Sequence, residues 1–299
     1  MFDVSIIIIN YNTLKMTDEC ICSVIEKTSG ISYEIILVDN ASIDGSKEFF
    51  SKDKRVTYIY NDENLGFSRA NNKGIERAQG RNILFLNSDT LLRNNAIKIL
   101  SDFLDKNPKV GACGGNLFDS KGNPVHSFFR YNTSIYEELN KILQDIPDRL
   151  LFGKNRQFNY SGHNLKVKHI TGADLMTRKT ILNTVGVFNP SFFMYHEDTE
   201  LCHRMSKAGY YIVSVPAAEI THLVHATVKD AMDDYYKQRI QEDSRNIYFN
   251  LTHSRLYHNI ADKFRFLYFR LKTMSPRKQT RIRAARQLFF LNSYYSKNT

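Results

Sequence analysis

The stretch VSIIIINYN, residues 4–12, decides the fold. Its first six residues are apolar apart from one serine, and a short apolar run of this kind predicts a strand that is buried on both faces. Similar runs follow at 34–38 (EIILV), 56–60 (VTYIY) and 82–86 (NILFL), and helical patterns occur at 14–27, 45–51, 67–79 and 94–106. Because strands and helices alternate, we expect an α/β fold with a mostly parallel sheet flanked by helices.

Polar residues follow each of the four predicted strands. They are Asn10-Tyr11-Asn12, Asp39-Asn40, Asn61 to Asn64 and Asn87-Ser88-Asp89. Ligands of open α/β sheets bind at the carboxyl ends of the strands. Asn and Asp also form turns for local reasons, but their recurrence at four successive strand ends predicts a ligand site along this edge.

The second half of the chain is less regular. Residues 116–164 are aromatic and irregular, with a helix expected near 135–145. A helix at 198–208 and a strand at 211–215 follow, and the chain is expected to be helical from 230 onwards with a break at Ser275-Pro276. This part predicts a substrate-facing region followed by a helical extension.

Composition excludes several classes of protein. Hydrophobic residues make up 42% and charged residues 24% of the 299 residues, which is typical of an ordinary globular protein. No run approaches the roughly 18 apolar residues of a membrane-spanning helix, and the N-terminus lacks the pattern of a signal peptide. Four scattered cysteines predict reduced thiols rather than a disulfide framework or a zinc site. We therefore expect a cytoplasmic protein.

The positive charge is concentrated at the end of the chain. Ten of the 41 Lys and Arg residues lie in 263–299, which contain no Asp or Glu, and the other 262 residues carry 31 charges of each sign. The segment 263–272, KFRFLYFRLK, interleaves aromatic and basic residues. Such a segment fits contact with an anionic membrane surface. The same composition also fits a segment that binds nucleic acid, or a helix that packs on the body with its basic face in solvent.

Two common nucleotide-binding motifs are missing. The first strand is not followed by GxGxxG, and GxxxxGK[ST] occurs nowhere. This argues against a dinucleotide dehydrogenase and a P-loop NTPase. A sugar nucleotidyltransferase would need a Gly-rich basic loop after the first strand, where Asn10-Tyr11-Asn12 stands instead.

Seven sequence blocks occur together in one order. They are VSIIIINYN (4–12), VDNASIDGS (38–46), NLGFSRANNKGI (64–75), FLNSDT (85–90), TGADLMTRK (171–179), GVFNPSFFMYHEDTELCHRMSKAGY (186–210) and HLVHAT (222–227). Over roughly residues 3–228 the chain resembles family 2 glycosyltransferases of the GT-A fold, in the rhamnosyltransferase-like branch. The resemblance implies a GT-A catalytic domain at 1–228, with a nucleotide-binding half (1–115) and an acceptor-binding half (116–228), and a basic helical extension at 229–299.

The resemblance implies Asp198 as the catalytic base and Asp89 and His222 as ligands of a divalent cation, Mg²⁺ or Mn²⁺. Asn87 stands where the family's metal motif has a first Asp, so the motif keeps only its last carboxylate. From the residues alone, Asp89 could cap a turn and His222 could be structural. Asp198 and Glu197 could equally be the acids that favour the first turn of a helix.

The remaining predicted site residues fall into two groups. The nucleotide-sugar contacts implied by the resemblance are Tyr11, Asn12, Asp39, Asn64, Gly66, Arg69, Asn71 and Ser88. Residues expected near the acceptor or behind the base are Gly172, Ala173, Glu197 and Arg204. For Arg69 and Asn71 the alternative is an ordinary solvated helix face, and for Arg204, about 1.6 helical turns beyond Asp198, it is a salt bridge elsewhere.

The sequence as a whole predicts an inverting, metal-dependent glycosyltransferase that moves a sugar, with rhamnose as one candidate, from a UDP- or dTDP-linked donor to a glycan or lipid-linked glycan of the cell surface. Residues 263–299 are expected to contact the inner face of the plasma membrane, and no nucleic acid is expected. The alternatives are a sugar nucleotidyltransferase and a non-catalytic protein that binds a membrane or nucleic acid on the same fold.

Overall fold

The structure is a computed structural model that describes residues 2–223 and 234–298. These residues divide into two compact units. One unit contains residues 2–130 and 154–223, and the other contains residues 131–153 and 234–298.

The first unit is built on a nine-stranded sheet. Its strands are β1 (Val4–Asn10), β2 (Tyr33–Asp39), β3 (Thr57–Tyr60), β4 (Asn82–Asn87), β5 (Thr90–Leu92), β6 (Val110–Phe118), β8 (Leu165–Val167), β10 (Asp174–Arg178) and β11 (Tyr211–His222). Their order is β3-β2-β1-β4-β10-β6-β11-β5, with β8 beside β11. β10, β5 and β8 run antiparallel to their neighbours and the other six strands share one direction, so the predicted mostly parallel sheet is confirmed. A separate ribbon pairs β7 (Phe128–Phe129) with β9 (His169–Ile170).

Helices cover both faces of this sheet. They are α1 (Leu14–Lys27), α2 (Ser46–Phe50), α3 (Gly66–Arg77), α4 (Ala96–Lys106), α7 (Lys179–Val185) and α8 (Glu197–Lys207). Alternate residues of β1 serve the two layers: Ile6 and Ile8 pack in the core that includes α1 and α4, and Ile7 packs in the core that includes α3, α7 and α8. Both faces of the strand are therefore buried, which explains the nearly continuous apolar run.

The second unit is helical. It consists of α5 (Ile135–Ile142), α6 (Ile146–Phe152), α9 (Asp234–Thr252), α10 (Arg255–Thr273) and α11 (Lys278–Asn298). Its interior contains a charged cluster around the buried Arg245, which lies 2.6 Å from Asp262, 3.5 Å from Glu138 and 3.7 Å from Glu242. Since Glu138 belongs to α5 and the other residues belong to α9 and α10, this cluster ties residues 131–153 to the C-terminal helices.

The sequence predicted most of these elements and misplaced three features. Residues 131–153 were assigned to the acceptor-binding half but pack with the C-terminal helices, because the partners of Glu138 lie more than 100 residues away in the chain. β11 continues seven residues past its predicted end at Val215. The C-terminal helices break at His253-Ser254 as well as near Ser275-Pro276. The predicted boundary at 228/229 lies outside the described residues.

Candidate functional site

The carboxyl ends of four neighbouring strands meet at one edge of the sheet. Asn10 of β1 is in register with Asp39 of β2, and Ile9 is in register with Asn87 of β4. Tyr60, at the end of β3, is in register with Asp39. The polar residues that follow these strands in the sequence are therefore brought to one edge.

Asn12 and Asp39 shape the loop that follows β2. Asn12 has φ +55°, its N–H donates to Ser42 Oγ (2.9 Å) and its Oδ1 accepts from the N–H of Ile43 (2.8 Å). The fully buried Asp39 accepts from the Ser42 N–H (2.9 Å) and from the Tyr58 hydroxyl (2.8 Å). Both side chains therefore fix the conformation of the loop through hydrogen bonds.

Tyr11 and Ser88 lie on either side of the end of β1. Tyr11 is half-buried, and Ser88 is buried with its hydroxyl 3.4 Å from that of Thr13. Thr13 in turn donates to Asn10 Oδ1 at 2.7 Å. A chain of short polar contacts thus connects the residues after β4 to the residues after β1.

The turn at the start of α3 contacts the loop before α8. Asn64 Oδ1 accepts from the Gly66 N–H at 2.9 Å, and Gly66 has φ +78°. The Phe67 N–H donates to the carbonyl of Phe193 at 2.6 Å. A Cβ atom on residue 66 would lie 2.4 Å from the same carbonyl oxygen, so only glycine fits here without displacing the backbone.

Arg69 and Asn71 have different surroundings on α3. Arg69 is exposed, and its Nε donates to the carbonyl of Pro190 at 3.1 Å. Asn71 is buried; its Nδ2 donates to the Phe67 carbonyl at 2.9 Å, and its Oδ1 has no hydrogen-bond partner in the described part of the chain. Arg69 therefore lies on a solvent-exposed face of α3, as the alternative interpretation expected, whereas Asn71 does not.

Asp89 and His222 face each other although 132 residues separate them in the sequence. Asp89 Oδ1 lies 3.2 Å from His222 Nε2, and both side chains are mostly buried. The contact exists because β11 pairs with β5, which sets His222 opposite Thr90. A carboxylate and an imidazole are suitable ligands for Mg²⁺ or Mn²⁺. Among residues 2–223 and 234–298, no group of three or more His, Cys, Asp or Glu side chains is placed to hold a metal ion.

Asp198 is the second residue of α8. Its Oδ2 accepts from the Gly172 N–H at 2.9 Å, and its Oδ1 accepts from the N–H of Thr199 at 2.6 Å and from the Thr199 hydroxyl at 3.2 Å. Burial raises the pKa of Asp198 above its ordinary value, and the backbone bonds oppose that shift. The result is a half-buried carboxylate in a fixed orientation whose affinity for a proton is increased.

The neighbouring Glu197 is buried. Its Oε2 has no hydrogen-bond partner among the described residues. Burial and the charge of Asp198 both raise the pKa of Glu197. Tyr195 and His196, which precede this pair, both have positive φ (+73° and +65°), and consecutive non-glycine residues in this conformation mark a strained turn.

Arg204 contacts neither carboxylate of the Glu197-Asp198 pair in the contacts that the structure describes. It forms a two-bond pair with Glu200 (2.7 and 2.8 Å) and donates to the carbonyls of Gly186 and Val187. Arg204 therefore forms its salt bridge with Glu200, as the alternative interpretation expected. Its bonds to the carbonyls connect α8 to the residues that follow α7.

Gly172 and Ala173 connect the two carboxylates of interest. Gly172 donates to Asp198, and the Ala173 carbonyl accepts from the Asn87 N–H at 3.0 Å, two residues before Asp89. Asp89 and Asp198 therefore belong to the same edge of the sheet and are connected through one short backbone segment.

Asp174 follows this segment directly, as the first residue of β10. It is fully buried in β10, and its Oδ2 accepts from the Gly115 N–H at 2.5 Å. Its Oδ1 has no hydrogen-bond partner among the described residues, and burial raises its pKa to about 7.

The aromatic residues that precede Glu197 and Asp198 differ in their exposure. Phe192 is completely buried and belongs to the interior, whereas Phe193 supplies the carbonyl that contacts α3. Tyr195 is half-buried in the strained turn. Of these, Tyr195 alone combines partial exposure with a position beside Glu197 and Asp198.

Two relatives of known name are similar to this chain in sequence. The chain is 26% identical over 249 residues to the low-salt glycan biosynthesis hexosyltransferase Agl10 of Haloferax volcanii, covering 82% of this chain and 74% of that protein. It is 28% identical over 210 residues to the N-acetylglucosaminyl-diphospho-decaprenol L-rhamnosyltransferase of Mycobacterium tuberculosis, covering 66% and 68%.

Solved structures share the fold at low sequence identity. The structure of GalNAc-T7 with UDP, GalNAc and Mn²⁺ superposes with a TM-score of 0.55 at 15% identity, covering 74% of this chain and 44% of that one. Residues 1–349 of TarS from S. aureus superpose with a TM-score of 0.52 at 16% identity, covering 84% and 72%. Both are GT-A glycosyltransferases, so the fold inferred from the sequence is confirmed.

The model of the family described as glycosyl transferase family 2 matches residues 5–165, more than half of the chain. That range contains β1 to β4, Asp89 and the strand ends described above. The protein is a glycosyltransferase and belongs to glycosyl transferase family 2.

Proposed function

We propose that this glycosyltransferase is inverting and metal-dependent, and that it transfers a sugar from a nucleotide-diphosphate donor to a hydroxyl of a growing cell-surface glycan. The observation that carries the proposal is the contact between Asp89 and His222, two distant residues that the fold brings to the same sheet edge as Asp198. That edge also holds the polar strand ends where open α/β sheets bind nucleotides.

Asp198 acts as the general base. In an inverting transfer, one carboxylate removes the proton from the acceptor hydroxyl while this oxygen attacks the anomeric carbon opposite the leaving diphosphate. The raised pKa of Asp198 suits this step, because a stronger base accepts the proton more readily. The Gly172 N–H and Thr199 hold the carboxylate in place. Burial and the neighbouring Asp198 raise the pKa of Glu197, which favours its neutral form beside the base.

Asp89 and His222 would hold the divalent cation, Mg²⁺ or Mn²⁺, whose charge stabilises the departing diphosphate when it is bound. Two protein ligands suit a cation that is otherwise bound by the diphosphate oxygens, as is usual for Mg²⁺.

The donor nucleotide would lie along the edge formed by β1, β2 and β4. We assign its contacts to Tyr11, Asn12, Asp39, Asn64, Gly66, Arg69, Asn71 and Ser88. The unpartnered Oδ1 of the buried Asn71 is an acceptor that a donor hydroxyl could satisfy. Accordingly, residues 1–115 form the nucleotide-binding half, and residues 116–228 without 131–153 form the acceptor-binding half. Gly172 and Ala173 lie in the second half, with Glu197 and with Arg204, which positions α8.

The named relatives suggest the substrates. One relative is a rhamnosyltransferase named for an acceptor sugar linked to decaprenol through a diphosphate, and one structural neighbour holds UDP and Mn²⁺. We therefore propose a UDP- or dTDP-linked donor, with rhamnose among the first sugars to test, and a lipid-linked glycan as acceptor in polysaccharide or cell-wall assembly.

Such an acceptor would place the enzyme in the cytoplasm at the inner face of the plasma membrane. No described helix is long and apolar enough to cross a membrane. The basic residues 270, 277, 278, 281, 283 and 286 of the C-terminal segment are exposed, so the segment 263–299 can meet anionic lipid headgroups.

A donor and metal screen tests the proposal. Purified protein is incubated with UDP-, dTDP- and GDP-linked sugars, with and without Mn²⁺ or Mg²⁺, and donor turnover is measured. We expect turnover of a pyrimidine-linked donor that chelation abolishes and added cation restores. Asp89→Asn should lose it, and Asp102→Asn, which removes a surface carboxylate on α4, should retain it. Full turnover in the presence of a chelator would contradict the metal-dependent mechanism, and binding of every donor without any turnover would favour a non-catalytic protein.

A further inference from the structure

Helix α6 in the second unit buries a charged side chain and exposes apolar ones, which is the opposite of an ordinary surface helix. Its buried residue is Asp148, which accepts hydrogen bonds from the hydroxyls of Tyr131 (2.9 Å) and Tyr136 (2.8 Å). Its exposed residues are the apolar Ile146 (54%), Leu150 (82%) and Leu151 (66%) together with the basic Arg149. A short helix that directs leucines into solvent and a carboxylate inwards lacks a partner for its apolar side.

The exposed position of α6 is built into the fold. Gln144 and Asp145, both with positive φ (+56° and +62°), turn the chain between α5 and α6. Asn140 fastens this turn by donating to Asp145 Oδ1 (3.0 Å) and accepting from the Asp148 N–H (3.3 Å). Leu143, just before the turn, is also exposed. Specific hydrogen bonds therefore hold the apolar side chains outwards.

The neighbouring helix α10 presents a second apolar strip. Leu256, Leu267, Leu271 and Met274 are exposed, and at 3.6 residues per turn these positions share one face of α10 and its C-terminal cap. The exposed cations Lys263 and Arg270 lie on the same face. Apolar and basic side chains together on one helix face are typical of helices that lie in a membrane interface.

α6 and α10 belong to one body. The Ile135 N–H of α5 donates to the Tyr257 hydroxyl of α10 at 3.1 Å. α5 packs against α10, and the turn before α6 follows α5 directly in the chain. The two apolar strips therefore lie on adjoining parts of the same unit.

We propose that α6 and the outward face of α10 form a lipid-contacting surface that docks the second unit on an anionic membrane. Leu150 and Leu151 enter the boundary between headgroups and acyl chains, and the basic residues of α10 and α11 bind the headgroups. The chemistry favours lipid over a second copy of the chain, because the last 37 residues carry ten cations and no acid and would repel their copies. The inference rests on the proposed membrane contact and adds an anchor outside the basic segment 263–299.

Co-sedimentation of the full chain with vesicles tests this surface. The vesicles contain phosphatidylglycerol mixed with phosphatidylcholine, or phosphatidylcholine alone. We expect Leu150→Glu with Leu151→Glu to lower binding to the anionic vesicles at least about tenfold, because two leucines would no longer enter the interface. The control Ile43→Glu changes the most exposed apolar residue of the first unit (90%) and should bind within about twofold of wild type.

A fluorescence experiment tests the same point without weakening the surface. The protein contains no tryptophan, so Leu150→Trp introduces a single reporter. Its emission should shift to the blue on addition of anionic vesicles, whereas the emission of Ile43→Trp should not move. An unshifted Leu150→Trp, together with wild-type sedimentation of the double glutamate variant, would overturn the role of α6.

Two further outcomes separate the possibilities. If Arg281→Glu with Arg283→Glu abolishes sedimentation while the leucine variant binds normally, the basic segment alone makes the proposed membrane contact and this inference fails. If the wild-type chain is a dimer by light scattering and the leucine variant is a monomer, the surface joins two copies and the lipid assignment is wrong. Donor turnover with a water-soluble acceptor should be unchanged in the leucine variant, so a failed glycosyltransferase proposal would be recognised independently.

Discussion

Gly66→Ala tests whether the turn at 64–66 and the loop before α8 depend on direct backbone contact. A Cβ atom on residue 66 would lie 2.4 Å from the Phe193 carbonyl oxygen and 2.7 Å from the Phe193 ring. The added methyl group therefore meets backbone, which cannot rotate away as the end of a flexible side chain could. The loop that carries Phe193 leads directly to Glu197 and Asp198, so the substitution should disturb the base as well as the fold.

Two free-energy costs add for this substitution. Holding alanine at φ +78° costs about 1 kcal/mol. Displacing Phe193 also breaks the 2.6 Å hydrogen bond from the Phe67 N–H, which costs about 1–3 kcal/mol more. We expect the free energy of unfolding to fall by about 2–4 kcal/mol, and the transfer rate to fall up to about a hundredfold because the base is misplaced.

Gly209→Ala is the matched control. Gly209 has φ +87°, and a Cβ atom there would meet nothing within 4 Å, so it bears only the conformational cost of about 1 kcal/mol. Urea unfolding followed by circular dichroism, and donor turnover under saturating substrate, compare the two variants. Equal losses of stability and equal turnover in both would refute the idea that contact with Phe193 positions the loop.

Three further predictions concern individual side chains. His222→Ala should raise the Mn²⁺ concentration for half-maximal turnover at least about tenfold, measured by metal titration, and an unchanged requirement would remove it from the metal site. Glu197→Gln should retain turnover within about threefold at neutral pH, because the amide replaces a carboxyl that burial and Asp198 keep protonated; a loss of activity comparable to that of Asp198→Asn would show that its ionised form is needed. Arg245→Met should lower the free energy of unfolding by about 3–5 kcal/mol because it leaves buried acids without their cation, whereas Arg239→Met, at an exposed pair, should change it by less than about 1 kcal/mol in the same urea titration.

The sheet and its edge could be predicted because local sequence determines them. A strand such as Val4–Asn10, buried on both faces, is almost entirely apolar, and the polar Asn10 at its end is buried among hydrogen-bond partners at the edge of the sheet. The true end of β11 could not be predicted in this way. Pro216 lies just past the predicted end, and the register of β11 shifts between Ser214 and Glu219, an irregularity that accommodates a proline within the strand.

Contacts between distant residues account for most of what the sequence did not show. The pairing of Asp89 with His222 was expected only through the family resemblance, since it depends on β11 pairing with β5. The burial of Asp174 depends on β10 entering the middle of the sheet, between β4 and β6. The union of residues 131–153 with the C-terminal helices depends on a buried pair between Glu138 and Arg245. None of these follows from periodicity or turn chemistry within one segment.

The most direct test of the central claim compares transfer and donor binding in Asp198→Asn. The amide keeps the shape of the side chain and cannot accept the proton of the acceptor hydroxyl. We predict that the affinity for the donor with Mn²⁺, measured by calorimetry, stays within about threefold of wild type while the transfer rate falls at least about 10²-fold. In the wild-type enzyme the transfer rate should decline as the pH falls through the raised pKa of Asp198. An Asp198→Asn enzyme that transfers sugar within a few-fold of the wild-type rate would contradict the account.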